Sequence, residues 1–255
     1  MVTPTGVESI ADSRRLAAAA YNFVMNDSAR SITPARVHSD FAALNAIGRD
    51  PATAMLARPA GSAAETAAFA WLRRRSEAAH LVCRLHEHGF TVRFADDTVT
   101  AVVIAGELAA ADGAGPFDGA FGIVAGLEVL RALPRAVTGV VLGGGATLTG
   151  DARCVFHCAV AGGSMLADSG RQFGVALSDT APLSLRRVAE IGEMIGVPVL
   201  PMPFAATGVV PSDAPSCVLV VDPGLNRWPP AEPAWAALTA GANLLLNLVD
   251  DVAAN

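Results

Sequence analysis

The sequence predicts an α/β fold, specifically a three-layer αβα sandwich with a mixed, mainly parallel sheet. Hydrophobic residues make up 52% of the 255 residues and charged residues only 16%, which is enough apolar material for a sizeable core. After residue 119 the predicted helices and strands alternate along the chain, as they do in parallel sheets covered by helices. Glycines follow several of the helical segments and mark their ends.

The N-terminal segment differs from the remainder. Arg14 and Arg15 precede a short alanine-rich stretch that Asn22 interrupts, so an amphipathic helix is a better interpretation than an export signal. We therefore expect residues 1–30 to form an N-terminal helical extension and residues 31–255 to form one domain.

Helices dominate the next part of the predicted domain. Thr33 and Pro34 are a typical helix start, with threonine as the N-cap and proline at the first helical position. That helix extends to about residue 47, and the proline-rich residues 49–62 are predicted as a loop. Apolar spacing then predicts a long helix over residues 63–88, which Gly89 ends.

Strands are predicted wherever β-branched and apolar residues alternate between turn residues. The predicted strands are residues 90–94, 98–104, 137–142, 154–160, 197–200 and 217–221, and the further helices are residues 119–133, 185–195 and 231–252.

Composition excludes several classes of function. The net charge of −6 argues against binding to nucleic acid. The chain contains no lysine, so Schiff-base chemistry and a phosphate-loop lysine are both excluded. Its apolar runs are too short to cross a membrane, and we expect a cytoplasmic protein. The four cysteines have no zinc-module spacing, and we expect neither a metal nor another cofactor.

A Phe-Asp-Gly turn is the most informative motif. It places Asp118 directly before a helix of small residues, a setting typical of a metal ligand that needs further carboxylates and imidazoles around it.

The segment Phe117-Asp-Gly-Ala-Phe-Gly-Ile-Val-Ala-Gly-Leu-Glu128 resembles the Phe-Asp-Gly-x-x-Gly-Val-x-Ala-Gly-Leu-Glu motif of zinc amidohydrolases, the family of N-carbamoyl-L-amino-acid hydrolase and allantoate amidohydrolase. Met165 to Val175 is similar to a second motif of that family, and Pro229 to Glu232 to a third. The resemblance implies a zinc-exopeptidase-like fold with a two-metal active site and an inserted lid domain.

The family's metal ligands are largely replaced. The resemblance aligns Glu107 with a ligand histidine and Ala109 with its supporting aspartate. Glycines 143–145 occupy the place of the Glu-Glu pair that supplies the base and a ligand. Another ligand histidine becomes Ala159, although a shifted register would place His157 there.

Two further departures lie later in the chain. Arg227 and Trp228 replace the final Ser-His, and the predicted helix at 185–195 follows Val175 with no room for the lid. The resemblance therefore implies a degenerate, lidless homologue in which Asp118 alone remains.

Each remaining candidate site residue has a functional and a structural interpretation. Asp118 and Glu107 could form an acid–base pair in the old cleft, or Asp118 could only cap the following helix. Small ligands or a partner protein could be bound by the side chains of Arg171, Arg227, Trp228 and His157 and by the backbone amides of Gly144 and Gly145. Packing or surface roles are the alternative for each.

Two hypotheses follow. In the first, the chain is an accessory subunit that pairs with another protein in a hetero-oligomeric complex. In the second, it is a repurposed, metal-independent enzyme of specialised biosynthesis that eliminates or cyclises a small amino-acid-derived ligand.

Overall fold

An eight-stranded mixed sheet forms the centre of the structure, which is a computed structural model. Residues Ile32–Asn255 form one unit around this sheet. The N-terminal extension expected over residues 1–30 lies outside the described residues, as do the candidate site residues Asp118, Gly145, Arg171, Arg227 and Trp228. The structure describes residues 31–53, 55–87, 89–97, 101–115, 117, 119–135, 137–144, 152–161, 166, 172–207, 209, 213–224 and 232–254.

Within this part of the chain, the α-helices are α1 (Pro34–Ala46), α2 (Ala63–Glu77), α3 (Ala120–Ala132), α4 (Leu185–Met194) and α5 (Glu232–Ala254). The strands are β1 (Leu56–Arg58), β2 (Leu81–His86), β3 (Gly89–Phe94), β4 (Val102–Ala105), β5 (Ala110–Ala114), β6 (Val140–Gly144), β7 (Cys154–Val160), β8 (Phe173–Leu177), β9 (Val199–Pro201) and β10 (Ser216–Val221). A 3₁₀ helix covers Phe204–Thr207.

The strand order in the large sheet is β2-β3-β6-β4-β7-β10-β8-β9. The central strands β6, β4, β7 and β10 are parallel to one another, as are β8 and β9 at one end. The remaining neighbours are antiparallel. Strands β1 and β5 form a separate antiparallel pair. The predicted α/β sandwich with a mixed, mainly parallel sheet is confirmed.

The core lies mainly on one face of the sheet. All five described helices contribute buried side chains to one large apolar cluster, which includes Phe41 of α1, Leu72 of α2 and Leu127 of α3. The opposite face carries smaller clusters, one around Val218 and Val220 and one around Val155. Strand alternation explains this division, because successive side chains of each strand point to opposite faces.

A buried ionic network joins three of these helices. Glu128 of α3 is fully buried and accepts hydrogen bonds from Nε of Arg36 at 3.0 Å and from Nη1 of Arg131 at 2.6 Å. Asp40 of α1 accepts from the same Arg131 at 2.7 Å and pairs with Arg75 of α2 at 2.9 Å. Such a network fixes how the helices pack, because an isolated buried charge would be costly.

One predicted helix is wrong in part. The helix expected over residues 63–88 ends at Glu77, and Leu81–His86 is a strand paired with Gly89–Phe94 as a hairpin. His80 adopts a positive φ of 58° at the break, which ends the helix without a glycine. His86 therefore lies on a strand, where its Nε2 is 2.9 Å from the Thr91 hydroxyl oxygen.

Besides β2, three further strands were not expected. Strand β1 lies within the predicted loop 49–62, and β5 and β8 lie in segments without a predicted element. No described helix combines the length and the apolar character that crossing a membrane requires.

Candidate functional site

A cavity of about 450 Å³ opens at the carboxyl ends of the parallel strands β4 and β7. Open α/β sheets bind ligands at this edge, because the loops that leave the strands converge there. Glu107 follows β4 and His157 lies on β7, and both line the cavity with Gly119, Cys158 and residues of the 3₁₀-helix region. The two candidates Glu107 and His157 are therefore brought together.

Glu107 lies beside the Phe-Asp-Gly turn. Its backbone N–H donates to the Gly119 carbonyl at 3.4 Å. A Cβ atom at Gly119 would lie 2.8 Å from the Glu107 carbonyl oxygen, and Gly119 has φ +69°, so only glycine suits this approach. The Glu107 carboxylate is exposed and makes no hydrogen bond or ion pair with any described residue.

Arg58 holds the loop that carries Glu107. This side chain is fully buried, and its Nε donates to the Leu108 carbonyl at 2.9 Å. Its Nη1 donates to the carbonyls of Leu44 and Ile47 at the end of α1, at 2.9 and 3.2 Å. Burial lowers the pKa of Arg58 to about 10, so it stays charged at neutral pH. The loop after β4 is thereby tied to α1.

The other side of the turn is anchored by aromatic packing. Phe117 is fully buried, and its ring meets Phe41 edge-on at 5.6 Å and Trp235 at 6.4 Å between centroids. Contacts of this kind with α1 and α5 hold the start of α3 in place.

His157 pairs in register with Ala105 on β4 and Val218 on β10. Its Nε2 is buried and has no hydrogen-bond partner among the residues that the structure describes. Burial lowers the pKa of His157, so the imidazole is neutral at pH 7. Cys158 packs against the large cluster on the opposite face, and burial raises the pKa of its thiol to about 12. The two side chains therefore do not form a nucleophile–base pair.

A pH dependence follows from His157. Its folded-state pKa lies below the unfolded value of 6.5, so the unfolded chain takes up more protons as pH falls through this window. Stability should be fully present above pH 6.5 and should decline below it. The slope of unfolding free energy against pH, measured by urea denaturation, should be shallower in His157→Gln. Equal slopes in the two proteins would contradict this assignment.

Gly144 is the last residue of β6 and has no room for a side chain. A Cβ atom there would lie 2.5 Å from Cε1 of Phe90 and 2.6 Å from the Gly106 carbonyl oxygen. The Phe90 ring thus occupies the space that a side chain at position 144 would need. Gly144 contributes backbone only, as expected, but its surroundings are filled by the β3 ring.

These residues do not fit a two-zinc centre. Such a centre needs about five or six carboxylate and imidazole ligands with a base beside the bound water. Within the described ranges no group of three histidine, cysteine, aspartate or glutamate residues could hold a metal ion. In the full sequence no acidic residue lies between Glu128 and Asp151, the stretch that contains the end of β6.

The sequence does not indicate the positions of two residues at this site, Phe90 and Arg58. Phe90 is on a predicted strand, but its position over Gly144 depends on the antiparallel pairing of β3 with β6, which the sequence does not indicate. Arg58 lay in a predicted loop, and no pattern around it signals its burial.

Comparison with known proteins shows which solved structures share this fold. No family model matches the chain, and no curated protein does. Solved structures do match. A hydantoinase/carbamoylase family amidase from Burkholderia ambifaria has a TM-score of 0.69 at 15% identity, over 89% of this chain and 99% of that one. A putative amidohydrolase/peptidase from Burkholderia cenocepacia has a TM-score of 0.71 at 12% identity, over 89% and 100%.

AtUAH in complex with (S)-hydroxyglycine also has a TM-score of 0.71, at 9% identity over 89% of this chain and 99% of that one. The chain therefore has the fold of these solved structures, and the expected amidohydrolase-like fold is confirmed.

Proposed function

We propose that this chain is a non-hydrolytic protein with an amidase fold that acts as an accessory subunit in a hetero-oligomeric complex. One observation carries the first half of the proposal. At Gly144, where the resemblance places the carboxylate pair of the zinc enzymes, the Phe90 ring and the Gly106 carbonyl leave no space even for a Cβ atom.

Because the space at Gly144 is occupied, we favour a protein that has lost hydrolysis over one whose metal site has moved. Hydrolysis by two metals needs a carboxylate base within hydrogen-bond reach of the bound water. A side chain at position 144 could be accommodated only by moving both Phe90, which is buried on β3, and the Gly106 carbonyl. Position 144 is therefore a closely packed glycine with no room for a carboxylate side chain.

The edge of the large sheet supports the proposed role as an accessory subunit. Strand β2 stands at one end of the large sheet and, among the described residues, pairs only with β3. Its Leu85 side chain is 66% exposed. A strand edge with an exposed apolar side chain is a common docking element for another chain.

The test uses the purified chain alone and together with the protein encoded beside it. Alone, the chain should not hydrolyse N-carbamoyl or N-acyl amino acids in the presence of Zn²⁺ or Mn²⁺. Co-expressed, the two proteins should elute as one complex, and the neighbour's activity or solubility should fall when this chain is omitted. Stoichiometric zinc with hydrolysis by the chain alone would refute the proposal, as would a neighbour that is unaffected by its absence.

A second candidate is a metal-independent enzyme that acts on an amino-acid-derived substrate. Glu107 and His157 line one cavity, and the neutral His157 could accept a proton while Glu107 orients a charged group. Their joint presence in the cleft favours an elimination or a cyclisation. Turnover of such a substrate by the chain alone, lost in Glu107→Gln and in His157→Gln and retained in the distant Glu77→Gln, would support it. Turnover that survives both cleft substitutions would exclude it.

A further inference from the structure

A second cavity, of about 530 Å³, lies beside the cleft on the helical side of the sheet. It is enclosed by α2, by the β2–β3 hairpin and by the loop that carries Glu107. We propose that this cavity binds a small organic amine with an apolar body. The proposal goes beyond the accessory-subunit function and does not depend on it.

The cavity wall is apolar on one side. Phe69 of α2 is half-buried, Phe90 of β3 is buried, and Leu85 of β2 is exposed at its mouth. An aromatic or branched aliphatic group seated against these three side chains would remove the exposed part of Leu85 from water. Burial of this kind stabilises a complex by about 25 cal/mol per Å² of apolar surface.

The polar side of the cavity is acidic. Glu65, Glu87 and Glu107 line it together with His86, and its described lining residues include no arginine in a chain that has no lysine. The Glu65 carboxylate is held in place, because its Oε2 accepts from the Gly61 N–H at 2.6 Å while its own N–H donates to the N-cap hydroxyl of Ser62 at 3.1 Å.

Glu107 has no such internal partner. Its carboxylate forms no ion pair or hydrogen bond with the described residues, although Arg58 holds the adjacent Leu108 backbone in place. A fixed backbone and a carboxylate that no described residue neutralises, beside an apolar wall, are complementary to an ammonium group attached to an apolar body. A carboxylate ligand of the same shape would be repelled.

The experiment compares phenethylamine with phenylacetate, which has a similar apolar body and the opposite charge. Isothermal titration of the full chain should show binding of phenethylamine, weakened by raised salt, and no binding of phenylacetate. Glu107→Gln should weaken amine binding about tenfold, since a charge-assisted contact is lost. Phe69→Ala should weaken it through loss of the apolar wall.

The matched control is Glu77→Gln, the same substitution on the same helix at an exposed position outside the cavity. It should leave the affinity unchanged. No binding of phenethylamine, equal binding of phenylacetate, or equal effects of the substitutions at positions 77 and 107 would each overturn the proposal. Failure of the accessory-subunit test would leave this titration unaffected, because it needs neither a partner nor turnover.

Discussion

Gly122→Ala should destabilise the protein by about 3 kcal/mol, although the same change in an ordinary helix stabilises it by about 1 kcal/mol. Gly122 lies in the first turn of α3, and a Cβ atom there would meet the Ala105 carbonyl oxygen at 2.4 Å and the Gly106 Cα at 3.0 Å. Both obstacles are backbone atoms at the end of β4. The helix can accept a methyl group only by moving away from the sheet, which also displaces Glu107.

Gly126→Ala is the matched control, four residues later on the same helix. Its Cβ atom would meet side-chain methyl groups of Leu142 and Ile104 at 2.8 and 3.0 Å, which can shift by rotation. Chemical denaturation of both variants measures the difference. A loss at position 122 no larger than that at position 126 would show that the strand end moves freely, contrary to the close approach described above.

Glu128→Gln should lower the free energy of unfolding by about 3 kcal/mol, because it removes the charge that two arginines share inside the protein. Glu128 is fully buried and bonds Arg36 and Arg131, and within the described part of the chain only Arg131 retains a second carboxylate, that of Asp40. The neutral amide also presents an N–H₂ group to two guanidinium groups that can only donate. High salt should change this loss little, since the group is shielded from solvent.

The control for Glu128 is Glu190→Gln in the exposed pair of Arg186 and Glu190 on α4, whose N–O distance is 3.0 Å. Exposed pairs contribute about 0.2–1 kcal/mol, so this change should be small and sensitive to salt. Urea denaturation of both variants at low and high salt measures the contrast. A loss below about 1 kcal/mol for Glu128→Gln would show that the network adds no net stability.

Elements with a clear period could be predicted from the sequence. The spacing around α1, α3 and α5 is helical, and the apolar run of β7 is bounded as predicted. Residues 81–86 fit two periods at once: Leu81 and Leu85 continue the helical spacing, whereas Leu81, Cys83 and Leu85 alternate as in a strand. Pairing with β3 decides between them, and that is a tertiary interaction.

Strand β5 shows the opposite difficulty. Its residues Ala110–Ala114 include glycine and aspartate and no β-branched side chain, so no local preference indicates a strand. It forms because β1 lies beside it.

In the candidate site, too, some features could be predicted from the sequence and others could not. Glu107 could be located because it follows a predictable strand at a recognisable spacing from the Phe-Asp-Gly turn. The blocking of position 144 by Phe90 could not, since residues 90 and 144 meet only through the antiparallel pairing of β3 with β6. Which space is filled depends on contacts between distant segments, and a single sequence does not display them.

Glu107, together with Gly106, borders both cavities, so a charged residue lies between the two compartments. A cation held against it from the hairpin side reduces the negative potential that a molecule on the His157 side experiences. Thermodynamic linkage makes this influence reciprocal: whatever the occupant of one compartment does to the affinity of the other, the second occupant does to the first by the same factor. If an amine binds on the hairpin side as proposed, its charge therefore changes the affinity of the His157 side through Glu107, and the sign of the effect depends on the charge of the second ligand.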